Sequence, residues 1–351
     1  MLVTELKKRN LPPVPARDEA VDLLCREEYG YLPPTPDAIS FAVERNVIRS
    51  FCAGAATVDR ITASCVIGET SFSFPFYVTL PTKEGKHPFF VMINFRRDVP
   101  DRYMPSEELI DSGFAVLSFS YTDVTSDDGD FTNGLAGVLY PDGVRGNRDA
   151  GKIAMWAWAA QRVMDYAETL DCLDLSCSVV CGHSRLGKTA LLAAATDERF
   201  AYAYSNDSGC SGAAITRGKE GERVRDICQR FPYWFCENYQ KYIDREDEMP
   251  FDQHWLIGAI APRSVCVGSA TEDRWADPHA EQLSCLAASE AYERLGRRGF
   301  VGGNAFAVEG ESFFEGQIGY HLRRGLHYFS RHDWHRLIAF VQRKENEKNK
   351  N

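Results

Sequence analysis

The chain has 351 residues, 44% of them hydrophobic and 26% charged, with a formal net charge of −10. That balance suits one globular α/β domain able to bury its own core without metal or disulfide staples. The acidic surplus speaks against a nucleic-acid partner, which would want a basic face, and no run approaches about 18 uninterrupted apolar residues, so no membrane partner is expected.

The first 15 residues carry Lys7, Lys8 and Arg9 without an apolar stretch and do not read as a signal peptide. The eleven cysteines are odd in number and contain no CxxC pair, as free thiols in a reducing cytoplasm would. Residues 19–29 place Val21, Leu24 and Cys25 on one helical face, and the helix should stop ahead of Pro33-Pro34, since proline disfavours helix at the residue before it. From about residue 40 to 81 the texture is strand-like. Phe72, Phe74 and Phe76 alternate with Ser71, Ser73 and Pro75, and the proline marks an edge strand. Short apolar runs follow at 89–93, 114–119, 178–181 and 265–268, as buried parallel strands would be. Helical stretches separate them, at about 149–170, 187–196 and 281–295. This alternation predicts a doubly wound, mainly parallel sheet in a three-layer α/β sandwich, with the early strands as its antiparallel leading edge. A single domain with an N-terminal helix is expected over 1–343. Residues 344–351, where Lys, Glu and Asn replace apolar residues, read as a disordered polar tail.

The sharpest local signal is Val179-Val180-Cys181-Gly182-His183-Ser184-Arg185-Leu186-Gly187-Lys188, an apolar strand running into a serine turn and then a helix. Such a turn exposes a serine hydroxyl as a nucleophile, and helix N-terminal amides behind it can stabilise an oxyanion. The usual pattern puts glycine two residues after the serine; here Leu186 stands there and Gly187 comes one step later. A plain helix cap would explain Ser184 alone. A base must follow late in the chain, where His321, His327, His332 and His335 cluster. Two carboxylates could orient it: Asp273, after the apolar run at 265–268, and Asp207, after Tyr202-Ala203-Tyr204-Ser205-Asn206.

With these residues in view, the chain resembles the glucuronoyl esterases of carbohydrate esterase family fifteen, more their bacterial branch than the fungal one. Besides the serine segment, the resemblance is carried by Asn206-Asp207-Ser208-Gly209-Cys210-Ser211-Gly212, Phe251-Asp252-Gln253-His254 before Ala261-Pro262-Arg263, Glu272-Asp273-Arg274-Trp275-Ala276-Asp277-Pro278, and Gly319-Tyr320-His321-Leu322-Arg323-Arg324-Gly325-Leu326-His327 before Asp333-Trp334. It covers most of the chain and implies an α/β-hydrolase fold, and it turns the displaced glycine into a point of agreement. It further implies Ser184 as nucleophile, His327 as base and Arg185 as part of the oxyanion hole. Lys188 and Trp275 would contact the sugar, as would Glu222, although Glu220 stands nearby. The acid site varies within the family, one position matching Asp207 and the other Asp273; Asp273 is preferred because aspartate at 207 has the shorter reach.

The expected activity is hydrolysis of (4-O-methyl-)glucuronate esters by a Ser-His-Asp triad, without cofactor or metal, on a small-molecule or oligosaccharide uronate ester. Acetyl esterase activity on xylan fragments is the alternative on the same machinery, and a non-catalytic carbohydrate-binding relative is a third reading. No sequence signal speaks to oligomeric state.

Overall fold

A computed structural model of the protein describes residues 1–348 and 350. The strands are β1 (Ala38–Glu44), β2 (Ala56–Ile67), β3 (Thr70–Pro81), β4 (His87–Asn94), β5 (Ala115–Ser120), β6 (Leu173–His183), β7 (Tyr202–Asn206), β8 (Ser264–Ala270), β9 (Ser312–Phe313) and β10 (Ile318–Arg323). They join in one sheet in the order β1-β2-β3-β5-β4-β6-β7-β8-β10-β9. The pairings β1–β2, β2–β3 and β3–β5 are antiparallel, those from β5 through β10 are parallel, and β9 closes the far side antiparallel. The antiparallel leading edge and the parallel remainder agree with the alternation read in the sequence.

Flanking helices include α1 (Arg17–Leu24), α2 (Lys152–Ala167), α3 (Arg185–Thr196), α4 (Val224–Arg230), α5 (Pro278–Arg294) and α6 (Arg331–Lys348). The central strands β4, β5, β7 and β8 are buried at nearly every position because both sheet faces are covered. Alternate residues divide between two cores: Phe89, Val91 and Ile93 of β4 meet the layer holding α1 to α5, while Phe90 and Met92 meet the layer of α6 and the short helix Ser106–Asp111. Small side chains let α2 and α3 lie close to the sheet and to one another, through Ala154, Ala157 and Ala160 of α2 and Ala190, Ala193 and Ala194 of α3. Among the described residues no helix is long and apolar enough to cross a membrane.

Three expectations change. The strand with Pro75 is third in the sheet, not an edge. β5 pairs only with Tyr77, Val78 and Thr79, so Pro75 has a neighbour on the β2 side alone and its missing N–H costs no ladder bond. The helix expected over 19–29 is α-helical only to Leu24 and continues as a π turn over Cys25–Tyr29 that buries Glu27 and Glu28. The polar segment from Lys344 is not a tail up to residue 348. It is the last part of α6, where Arg343 and Lys344 pair with Glu347, and Lys348 with Glu345. The i,i+3 and i,i+4 spacings make these charges helix-supporting. Residues 349 and 351 lie outside the described residues.

Trp334 ties α6 to the sheet: its ring stacks on Phe329 (4.6 Å between centroids) and meets Phe90 edge-on (5.1 Å), and Nε1 donates to the Tyr103 carbonyl at 2.7 Å. Trp334→Ala is expected to cost about 3–5 kcal/mol by cavity formation. Trp334→Phe should cost less, because it keeps one aromatic ring and loses the N–H and only part of the buried volume. Urea unfolding would show both as lower midpoints at unchanged slope.

Candidate active site

β6 ends at His183, Ser184 takes φ 59° and ψ −127°, and α3 begins at the next residue. The turn is held by backbone alone: Ser184 N–H donates to the Asn206 carbonyl (2.8 Å), and the Ser184 carbonyl accepts from Gly187 N–H (2.9 Å) and Lys188 N–H (3.2 Å). A Cβ on Gly182 would stand 2.2 Å from the Leu186 carbonyl oxygen, and one on Gly187 would stand 2.9 Å from Ser205 Oγ and 3.1 Å from Ser208 Cβ. Leu186 instead turns into the core. The glycine is displaced because the close approach to β7 occurs at 187 and not at 186.

Ser184, Arg185, Lys188, Asp207, Glu222, Asp273, Trp275 and His327 all line one cavity of about 310 Å³, together with Arg230, Phe231 and Trp234. A larger cavity, about 570 Å³, lies between Phe51, Met104 and Arg331. It holds no histidine and none of the sequence candidates, so size does not make it the reactive centre. His327 comes from the loop after β10, and its Nδ1 stands 2.6 Å from Asp273 Oδ2. Asp273 is nearly buried while the imidazole is half exposed, open to a substrate. The other histidines are occupied elsewhere. His321 is buried against the Tyr204 hydroxyl (2.9 Å), and burial pushes its pKa down to about 4. His332 and His335 lie exposed on α6, His254 meets the Pro12 carbonyl and His279 packs on Phe306.

Asp207 is also close: ligand atoms of Asp207, Asp273 and His327 all lie within 4.8 Å of one another. Asp207 Oδ2 accepts from Arg323 Nη2 (3.0 Å) and from Tyr328 N–H (3.4 Å), and Oδ1 is buried without a partner. Burial raises the pKa of Asp207 well above the carboxylate range, against the opposing pull of Arg323. Among the described residues these three are the one cluster that could hold a metal ion, but Arg323 already faces Asp207 and the imidazole already faces Asp273.

Arg185 pairs with Asp127, and its guanidinium lies over the Trp234 ring (4.5 Å to the centroid); Nε is buried and without a partner. Lys188 is buried, with Nζ donating to the carbonyls of Ser208 and Cys210, and burial lowers its pKa. Three donors and two such bonds leave one N–H for a ligand. Trp275 is 47% exposed, with Arg230 5.6 Å from its ring centroid. Glu222 lies in the cavity wall and Glu220 outside it, exposed, with its N–H donating to Asp277.

Sequence reasoning missed four supports. His183 lies buried beneath His327 with ring centroids 4.4 Å apart; burial and that neighbour hold its pKa well down. Arg323, Asp127 and Glu281 were missed because each acts through partners distant in sequence. Arg323 stood inside a quoted motif, yet nothing local separates it from Arg324. Glu281 looked like an ordinary helix residue, but one oxygen accepts from Gly209 N–H (2.9 Å) and the other from the Ser269 hydroxyl.

The profile of the glucuronyl esterase family of fungi matches residues 63–296. A carbohydrate esterase from an unknown prokaryotic organism is 42% identical over 237 residues, covering 67% of this chain and 54% of that protein. A 4-O-methyl-glucuronoyl methylesterase of Podospora anserina is 29% identical over 270 residues, covering 73% of this chain and 51% of that protein. The chain thus spans about half the length of these curated relatives. Among solved structures, a promiscuous CE15 esterase from a marine bacterial metagenome superposes with TM-score 0.83 at 33% identity, over 93% of this chain and 90% of that one. The glucuronoyl esterase from Solibacter usitatus superposes with TM-score 0.85 at 30% identity, over 93% and 91%.

Burial raises the Glu281 carboxyl from 4.5 to about 7. A carboxyl whose folded pKa is raised contributes stability that is complete below its unfolded value and is lost as pH climbs through the folded one. Glu281 should therefore make the protein lose stability between about pH 4.5 and 7. Glu281→Gln is expected to flatten that part of the profile of thermal midpoint against pH; an unchanged slope would refute it.

Proposed function

The chain belongs to the glucuronyl esterase family, and from that premise we propose that it is a serine carboxylic-ester hydrolase acting on esters of 4-O-methyl-glucuronic or glucuronic acid. Ser184 is the nucleophile, His327 the base and Asp273 the acid that orients it. The observation that carries this reading is the 2.6 Å contact of His327 Nδ1 with Asp273, in the wall of the cavity that Ser184 also lines. With Nδ1–H donating to Asp273, Nε2 is the lone-pair nitrogen and can take the serine proton. Ser184 Oγ then bonds to the ester carbonyl carbon, and the oxyanion is met by amides at the start of α3 and by the guanidinium of Arg185, which lines the same cavity. The tetrahedral species collapses as Nε2–H protonates the departing alcohol, and water repeats the sequence to release the uronate.

Asp207 is read as the partner of Arg323 and not of the imidazole, since its one bonded oxygen faces that guanidinium and Tyr328 N–H. Lys188, Glu222 and Trp275 are read as the sugar wall. A uronate ester carries its carbonyl on the sugar ring's own C6, so the ring must lie beside the nucleophile during attack. A charged donor, a carboxylate and a half-exposed aromatic face supply what a pyranose needs there.

Ser184→Ala and His327→Ala are each expected to lower kcat by at least about 10³-fold with the fold intact. Asp273→Asn should lose more turnover at neutral pH than Asp207→Asn, and the reverse order would transfer the acid role to Asp207.

The substrate is decided by a panel of methyl glucuronate, benzyl glucuronate and acetylated xylo-oligosaccharides. The glucuronates are expected to show the higher kcat/KM, and Lys188→Ala to raise KM for them more than for a simple acetyl ester. Preferential acetate release, with Lys188→Ala affecting both alike, would make the protein an acetyl esterase. A structural relative is described as a promiscuous esterase, so the wild type is compared on all three substrates first.

A further inference from the structure

We propose that Asp127 is a positioning residue for the reaction: it fixes the Arg185 guanidinium where the oxyanion forms. The proposal rests on the oxyanion role given to Arg185 above. Arginine has a long, many-rotor side chain, and Arg185 is a quarter exposed, so without a second anchor it would be free to swing toward solvent. Asp127 supplies the anchor. Its Oδ2 accepts from Arg185 Nη1 and from the Tyr121 hydroxyl (2.8 Å), its Oδ1 from Trp234 Nε1 (2.7 Å), and its backbone carbonyl from the Tyr233 hydroxyl (3.0 Å). Three donors on two oxygens leave the carboxylate one orientation. Burial, with Asp127 adding to it, pushes the Tyr121 hydroxyl well up, so it stays a donor.

The aromatic partners also confine the guanidinium, which has Trp234, Phe231 and Phe95 at 4.5, 5.3 and 5.7 Å from their ring centroids. The loop that carries Asp127 is itself tied down by the buried Lys152 ammonium, which donates to Thr125 Oγ1 (2.9 Å), Ser126 Oγ (3.3 Å) and the Asp130 carbonyl (2.6 Å). Nη1 is thus spent on Asp127, which sets the plane of the guanidinium in a residue that lines the reactive cavity.

Charge and position make opposite predictions here. An anion beside Arg185 weakens its pull on a developing oxyanion, so on Coulomb's law alone removing the charge of Asp127 would speed the reaction. If Asp127 acts by position, removing it slows the reaction. The test measures kcat and KM on methyl glucuronate for Asp127→Asn, Arg185→Ala and the double variant, with thermal unfolding of each. Arg185→Ala is expected to lower kcat about 10²-fold, as loss of one oxyanion donor does. Asp127→Asn should lower it about tenfold with KM held within about twofold, and the double variant should fall no more than about twofold below Arg185→Ala, because the two act through one contact. Tyr121→Phe keeps the ring and deletes the hydroxyl that donates to Asp127 Oδ2. It should show a smaller loss of kcat that likewise vanishes when Arg185 is alanine, and it decides the matter if Asp127→Asn does not fold. The proposal is overturned by an Asp127→Asn rate at or above wild type, by a loss confined to KM, or by a loss that multiplies undiminished with Arg185→Ala. An unchanged kcat in Arg185→Ala overturns the oxyanion role itself, and is distinguished from those results because it needs no Asp127 variant.

Discussion

A buried guanidinium organises the catalytic end of this molecule. Arg323, the last residue of β10, faces two carboxylates, Asp333 through Nε (2.9 and 2.7 Å) and Asp207 through Nη2 (3.0 Å). It also donates to the carbonyls of Arg324, Leu326 and Tyr328. Taking a cation out of water is costly, and the cost is offset only when each donor finds an acceptor. Here the acceptors come from the end of β7, the first turn of α6 and the loop bearing His327. Satisfying one buried charge therefore fixes the distance between the sheet edge, the following helix and the catalytic loop. Arg323 holds the loop of His327 without touching the imidazole.

The same interaction separates two aspartates that look equivalent in the chain. Both lie at the cavity and within reach of the imidazole, but the charge each one meets differs. Asp207 is fully buried and faces Arg323; Asp273 has the imidazole on one oxygen and the Ala276 N–H (3.3 Å) on the other. A carboxyl group that burial pushes toward its neutral form has less field to offer an imidazolium. Cations on the opposite wall complete the arrangement. Arg185 and Lys188 start one helix, and each is held by a fixed acceptor: Arg185 by Asp127, Lys188 by the carbonyls of Ser208 and Cys210. The loop of those two carbonyls is in turn tied by Glu281 through Gly209 N–H. The positive groups of the cavity are thus preorganised, and reorienting them costs little.

What the sequence determined by itself is local or periodic. Apolar runs of strand length, alternating with alanine-rich helical stretches, sufficed for the sheet, because both faces of a covered parallel sheet must be apolar. The strand-turn-helix around Ser184 was legible from its glycines, since a Cβ at 182 or 187 would meet backbone or β7, a constraint set within a few residues. The late histidine cluster and both aspartates were legible as residue types in a workable order. Tertiary structure alone decided the rest. It set His327 beside Asp273 while burying His321 and leaving His332 and His335 on a helix surface, and it put Glu222 and not Glu220 in the cavity wall. It turned a polar run at 344–348 into helix, and left Pro75 inside the sheet by stopping β5 short of it. The partners that made each choice, Arg323 for Asp207, Asp127 for Arg185 and Glu281 for Gly209, lie 116, 58 and 72 residues away along the chain. No local pattern records such a pairing, because the energy of a buried charge depends on which distant acceptor the fold brings to it.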